Sequence, residues 1–388
     1  MLRYGKHPVG WLLLVLVSIL ALGGCGGGSD KQAALAPWEG TWKSLSVYLD
    51  DPALTPSCEA VAAHNAAYTP QGVLGFLKKM YRCDFAGMVV KGDSVTFRKV
   101  DGSVLGTVSY RSAGTAPIPG NDKPWHLFEA VGDPGEAYRY LALVEVHSDG
   151  PDAMKHWHLR YGNTSLEALV GSEADATWWP TMAAEDTTAA AVAADLGSEA
   201  EAFAQFLGNP WTPWLGTWVS VSSYLDDPAM EAAYAAVVAE ATKLGKSYDT
   251  ASVKAFFKGM LHTPFASVRI SADATVFLTA DGTELGRGGY VYQGVVPMPG
   301  FEGSLWDHWT ATGSSPAGYG RILTTAVHSD GPEAMKHWHM RFGDASLQDL
   351  VNPSNPMWFP TCVKPETTAA VFAEDVKGEA AAYAAFLP

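Results

Sequence analysis

Positive charge is what this chain lacks most: 26 Lys and Arg stand against 41 Asp and Glu in 388 residues, a formal charge of −15. A nucleic-acid footprint needs a basic face, so that class is excluded, and adhesion to anionic lipid headgroups is disfavoured. Cysteine is scarce as well, at four residues, so a thiolate-rich metal centre has little to draw on. The N-terminal stretch contributes nothing to a fold. Arg3, Lys6 and His7 precede an apolar run at 11–22, and residues 1–24 read as a signal peptide. Removing them takes away two basic residues and no acidic one, leaving −17, a balance that attracts cations.

What the chain does have is a repeat of itself. Pro37-Trp38-Glu39-Gly40-Thr41-Trp42 returns as Pro213-Trp214-Leu215-Gly216-Thr217-Trp218, and Tyr48-Leu49-Asp50-Asp51-Pro52 as Tyr224-Leu225-Asp226-Asp227-Pro228. Trp179-Pro180-Thr181 returns as Phe359-Pro360-Thr361. An offset of about 176 residues is too long for a solenoid repeat and marks a duplicated domain, 37–207 and 213–388. The break falls at Gly208-Asn209-Pro210. With 47% hydrophobic residues there is material for two cores. Within the first copy the pattern predicts helices at 59–67 and 71–81, then strands at 87–90, 94–99, 106–111, 125–131 and 138–147. An Ala-rich helix at 187–206 ends the copy. Short strands in meander order imply a mainly β fold, a small antiparallel barrel flanked by helices.

The stretch richest in chemistry is His147-Ser148-Asp149-Gly150-Pro151-Asp152-Ala153-Met154-Lys155-His156-Trp157-His158, repeated from His328 to His339 with Glu333 in place of Asp152. An apolar run enters it and Asp-Gly-Pro breaks it. The period-2 run 156–161 leaves it, so it reads as a β-hairpin. His156 and His158 share one face of a strand, and the antiparallel return brings His147 beside them. His328, His337 and His339 follow the same arithmetic. Three imidazoles with no fourth protein ligand suit an accessible Zn²⁺ site, and the donor set also accepts Cu²⁺, Ni²⁺, Co²⁺ or Cd²⁺. Arg160 and Arg341 fall on the histidine face, where they could hold an anionic co-ligand of the metal, pair with Asp149 and Asp330, or reach solvent. The near-identity of the two loops points to Asp149 and Asp330 accepting an imidazole N–H from the triads. Glu145 precedes His147 by two, but its counterpart is Ala326. His64, His126, His262 and His308 do not recur and read as surface or satisfied histidines.

Leu22-Gly23-Gly24-Cys25 resembles the lipobox of bacterial lipoproteins, with Cys25 the lipidated residue and 25–36 a flexible tether. Gly26 rather than Asp after it resembles outer-membrane sorting. The implied location is exported and lipid-anchored, at the periplasmic side of the outer membrane or at the cell surface. Cys58 and Cys83 are both replaced in the second copy, by Tyr234 and Thr263, as a disulfide would be; two independent thiols are the alternative. Cys362 reads as a buried hydrophobe.

The hairpin, the Gly-x-Trp motif, the second helix, the Trp-Pro-Thr segment and the strand-end Gly162 and Gly343 together resemble the ZinT family, also called YodA. The resemblance covers nearly all of the chain beyond the tether, twice. It implies exported zinc- and cadmium-binding domains with lipocalin-like (calycin-type) barrels, and transfer of zinc to the binding protein of an importer. Residue by residue it implies that His147, His156, His158, His328, His337 and His339 are ligands. The chain departs from the pattern in having two domains, no His-rich N-terminal tail, and an expected anchor. Two other functions compete: a zinc hydrolase or hydratase using the same triads, and a lipocalin-like binder of an apolar ligand inside the barrel.

Overall fold

A computed structural model describes residues 33–148, 154–171, 174–301, 304–313, 317–329 and 335–388. The expected signal peptide, Cys25, Asp149 and Asp330 lie outside the described residues. The chain divides into two units, Met1–Asn65 with Val73–Gly208, and Ala66–Gly72 with Asn209–Pro388.

In the first unit the strands are β1 (Gly40–Ser44), β2 (Gly87–Lys91), β3 (Ser94–Arg98), β4 (Val104–Pro117), β5 (Pro124–Ala130), β6 (Tyr140–Leu143), β7 (His156–Gly162) and β8 (Thr181–Ala184). Each pairs antiparallel with the next, and β8 returns to β1, closing an eight-stranded barrel. Period-2 alternation decides which side chains fill it. Trp157, Leu159 and Tyr161 of β7 join Trp42, Phe97 and Met182 in one buried cluster, and that cluster occupies the barrel interior. An apolar ligand inside the barrel therefore meets a filled core. The long β4 serves two partners by bending at a bulge between Ser112 and Gly114, where Gly114 takes φ 102, a region that favours glycine.

The second unit repeats this with β9 (Gly216–Ser220), β10 (Ser267–Ile270), β11 (Thr275–Leu278), β12 (Glu284–Pro297), β13 (Leu305–Thr312), β14 (Arg321–Thr324), β15 (His337–Gly343) and β16 (Thr361–Val363), again a closed barrel. Both units are thus lipocalin-like antiparallel barrels with flanking helices.

Helices α1 (Thr55–His64), α2 (Pro70–Met80), α3 (Leu166–Val170), α4 (Ala189–Ser198) and α5 (Ala200–Leu207) flank the first barrel; α6 (Met230–Lys243), α7 (Thr250–Leu261), α8 (Leu347–Val351), α9 (Ala369–Gly378) and α10 (Ala380–Phe386) flank the second. The expected single helix over 187–206 is two, because Glu199 leaves helical geometry at φ −107, ψ 13. Thr188 caps the first of them through Ala191 N–H, and Thr368 caps α9 through Val371 N–H. Gly162 and Gly343 end β7 and β15 where α3 and α8 press on the strand. A Cβ at either position would lie 3.2 Å from a leucine methyl, Leu169 or Leu350.

The expected Cys58–Cys83 disulfide is not formed; both are free thiols. Cys58 is buried on α1, which packs on α4 and α5, whereas Cys83 packs against the barrel core near Ser44 and Tyr161. They belong to different packing layers. Burial pushes each thiol up to about 11, which suppresses the thiolate that disulfide formation needs. Cys362 is fully buried, as expected, with Sγ 4.0 Å from Met340 Sδ. Unfolded without reductant, the chain should label with a thiol reagent at Cys58, Cys83 and Cys362 by peptide mass mapping. Joint protection of Cys58 and Cys83 would restore the bridge.

Candidate metal centre

Strand β6 stops at Leu143, four residues before His147, so the hairpin is not regular up to its histidine. Two bonds hold the chain in between. Val144 N–H donates to His158 O at 2.9 Å, and the Trp38 indole N–H donates to Val144 O at 2.8 Å. His147 and His156 then form an isolated antiparallel bridge, each donating its N–H to the other's carbonyl at 2.9 Å. The second unit does the same: Thr325 N–H to His339 O at 2.9 Å, the Trp214 indole to Thr325 O at 3.0 Å, and reciprocal bonds between His328 and His337 at 2.9 and 2.8 Å. The opening tryptophans of each copy thus plug the barrel and steady the chain that delivers the first histidine.

Because Trp157 and Leu159 point into the barrel, His156 and His158 point out of it. The triad sits on the barrel's outer wall. Ring centroids of His147, His156 and His158 lie 4.4, 5.3 and 5.2 Å apart, and those of His328, His337 and His339 lie 4.3, 5.3 and 5.0 Å apart. One nitrogen from each ring lies within 4.8 Å of the other two in both groups. A tetrahedral ion with bonds of about 2.0–2.1 Å sets ligand nitrogens about 3.4 Å apart, a small closure from there. No carboxylate joins either cluster among the described residues.

Each ring has a partner at Nδ1. His147 Nδ1 lies 2.8 Å from Glu145 O, and His156 Nδ1 lies 3.0 Å from Met154 O. His158 Nδ1 lies 2.9 Å from Thr181 Oγ1. The second unit matches with Ala326 O at 2.9 Å, Met335 O at 3.1 Å and Thr361 Oγ1 at 2.9 Å. A carbonyl accepts only, so the rings it faces carry hydrogen on Nδ1 and present Nε2 as the lone pair. The sequence reading missed these partners. Thr181 and Thr361 were visible only as the last letter of the repeated Trp/Phe-Pro-Thr segment.

Arg160 and Arg341 share the histidine face, as expected, but they are buried and do not reach solvent. They are 5% and 3% exposed. Arg160 donates from Nε to Trp178 O, from Nη1 to Leu169 O and from Nη2 to Asp175 O, at 3.2, 2.8 and 2.7 Å. Its guanidinium lies 5.3 and 5.4 Å from the Trp125 and Trp179 rings. Arg341 does the same for Trp358 O, Leu350 O, Val351 O and Pro356 O. Each arginine pins the loop between the short helix and the last strand, because those carbonyls would otherwise be buried without partners. Burial lowers both guanidinium pKa values, Arg341 to about 10.

The remaining histidines stay outside the triads. His64 and His262 are exposed, and His126 is half-buried with Nε2 3.5 Å from Glu145 Oε1. His308 departs from its expectation: it is buried, its Nε2 has no hydrogen-bond partner among the described residues, and burial with nearby Arg321 lowers it to about 4.

Burial, then the neighbouring imidazoles, hold His158 and His339 well below the ordinary histidine value; Lys123 adds to this at His158. The folded chain therefore keeps these rings neutral at pH values where the unfolded chain protonates them. Metal-free protein should lose stability as pH falls below about 6.5, at up to about 1.4 kcal/mol per pH unit for each group. Thermal melts from pH 7.5 to 5.5 check this. A melting temperature no more pH-sensitive than that of a His158→Gln, His339→Gln variant would refute it.

Residues 28–198 match the family model described as ZinT (YodA), periplasmic lipocalin-like zinc-recruitment. The chain is similar to the probable metal-binding protein YrpE of Bacillus subtilis, 28% identical over 152 residues, covering 39% of this chain and 59% of that protein. It is also similar to the zinc-binding lipoprotein AdcA of Streptococcus pneumoniae, 24% identical over 169 residues, covering 43% of this chain and 32% of AdcA. The matched stretch thus spans about three fifths of the first relative and about a third of the second. Among solved structures, the Zn(II)-bound ZinT-like domain of Streptococcus pneumoniae AdcA matches at 21% identity and a TM-score of 0.34, covering 43% of this chain and 92% of that one. These relatives are described as metal-binding and zinc-binding proteins, and the matched family as one of zinc recruitment. The match to the ZinT (YodA) family model is thus confined to residues 28–198, and the second unit repeats the barrel and the histidine triad of that stretch.

Proposed function

We propose that the chain is an extracytoplasmic zinc-binding protein holding one ion in each of two domains, 37–207 and 213–388. His147, His156 and His158 bind the first ion through Nε2, and His328, His337 and His339 the second. The fourth position is left to a ligand from outside. The observation that carries this reading is that each triad brings one nitrogen from each of three imidazoles within 4.8 Å of the other two, with no carboxylate in either group among the described residues. All-imidazole donors favour zinc and would also take Cd²⁺, Cu²⁺, Ni²⁺ or Co²⁺ in a test tube.

Lipidation at Cys25 would tether the chain outside the cytoplasm, at the outer membrane or the cell surface, and suit it to capture, store or deliver zinc to an importer's binding protein. The likeness to a zinc-binding lipoprotein supports the tether. Replacing Cys25 with Ser should abolish lipid labelling; labelling that persists elsewhere would sink the anchor.

Elemental analysis and calorimetry of the purified chain should find two zinc equivalents. The His156→Ala, His158→Ala variant should retain one, and adding His337→Ala, His339→Ala should abolish binding. One equivalent in the unaltered chain, lost entirely with the first pair of changes, would refute the two-site reading.

A further inference from the structure

Two histidines of each triad are held by main-chain carbonyls, which no side-chain substitution removes. The third is held by a hydroxyl. His158 faces Thr181 across β7 and β8, and Thr181 is 1% exposed. The hydroxyl has one hydrogen and two neighbours: His158 Nδ1 at 2.9 Å and Trp179 O at 2.9 Å. A carbonyl accepts only, so the hydrogen goes to Trp179 O and the Thr181 oxygen accepts from His158 Nδ1–H. The second unit repeats the relay: Thr361 faces His339, donates to Phe359 O at 2.9 Å, and lies 2.9 Å from His339 Nδ1.

The relay is anchored at its far end. Trp179 N–H donates to Met80 O at the end of α2, and Phe359 N–H donates to Met260 O near the end of α7, both at 2.7 Å. Arg160 and Arg341 hold the preceding carbonyls, Trp178 O and Trp358 O. Trp179 has become Phe359 between the copies while every bond in the relay persists, so it runs through the main chain and the hydroxyl, not through the aromatic ring.

We infer that Thr181 and Thr361 are positioning residues of the two metal sites, each locking its histidine in the tautomer and ring orientation that leave Nε2 for the ion. The inference rests on the proposed zinc sites for its effect on affinity, but the tautomer itself is a property of the metal-free protein.

The test uses the full chain in three forms: unaltered, Thr181→Val with Thr361→Val, and Thr181→Ser with Thr361→Ser. Long-range imidazole ¹⁵N spectra of the metal-free forms report the tautomer, and competition with a chromophoric chelator reports zinc affinity. The unaltered chain should show His158 and His339 as Nδ1–H. The valine form should show mixed tautomers and about 10- to 100-fold weaker zinc binding at both sites, and the serine form should stay within about threefold of the unaltered chain. Nε2–H rings in the unaltered chain, wild-type affinity in a folded valine form, or serine losing as much as valine would each overturn the inference. Should the valine form fail to fold, the unaltered spectrum and the serine form still decide it. An unaltered chain that binds no zinc would defeat the functional reading, while its spectrum would still judge the lock.

Discussion

The reciprocal bond pair between His147 and His156 is the constraint on which each site depends. Two residues that exchange both N–H···O bonds face one another with side chains on the same side of the sheet. Period 2 then adds His158. Register in this hairpin is also set from the other face, because Trp157, Leu159 and Tyr161 are committed to the barrel interior. A slip of one residue would put the tryptophan in water and the imidazoles in the core. The force that closes the barrel and the force that arms the site are therefore one pattern read from its two faces.

The duplication works as an internal control on which features matter. The arginine bonded to the Leu169/Leu350 and Trp178/Trp358 carbonyls, the threonine beside the third histidine, and the glycine under the short helix occur in both units. Where the copies differ, each has a local substitute. Tyr234 stands for Cys58 and donates its hydroxyl to Leu225 O inside the helical layer. Thr263 stands for Cys83 and pairs with Ser220, the counterpart of the Ser44 that Cys83 touches. The joint loss of two cysteines, which the sequence presents as a broken pair, is thus two separate packing changes. A pattern of shared absence carries no information about distance.

Much of the site was legible because its chemistry lies in side chains at short, regular spacing. H-x8-H-x-H needs only alternation and a turn to converge, and three imidazoles converge in each unit. What escaped the reading lies far away in sequence or in the backbone. Strands β1 and β8 are short and β8 carries no strong alternation, so the closing pair of the barrel was not expected. The Trp38 indole reaches Val144 O across 106 residues. The carbonyls that fix the first two imidazoles have no letter of their own. Arg160 was placed on the correct face, but its bonds to main-chain oxygens 9 to 18 residues away have no letter in the sequence.

The chain is acidic as a whole, yet no carboxylate joins either triad among the described residues, and a buried guanidinium lies on the same face two residues beyond. Net charge and site chemistry therefore do different jobs. The diffuse negative field raises the local concentration of every cation and fades with salt. Three imidazole nitrogens, if they are the ligands as proposed, would leave little for Mg²⁺ or Ca²⁺, ions that demand six or more oxygens. A carboxylate beside the triad would strengthen attraction for all dications at once and blur that choice. An ion held by imidazoles alone would be released by acid more than by salt, because a protonated ring cannot ligate.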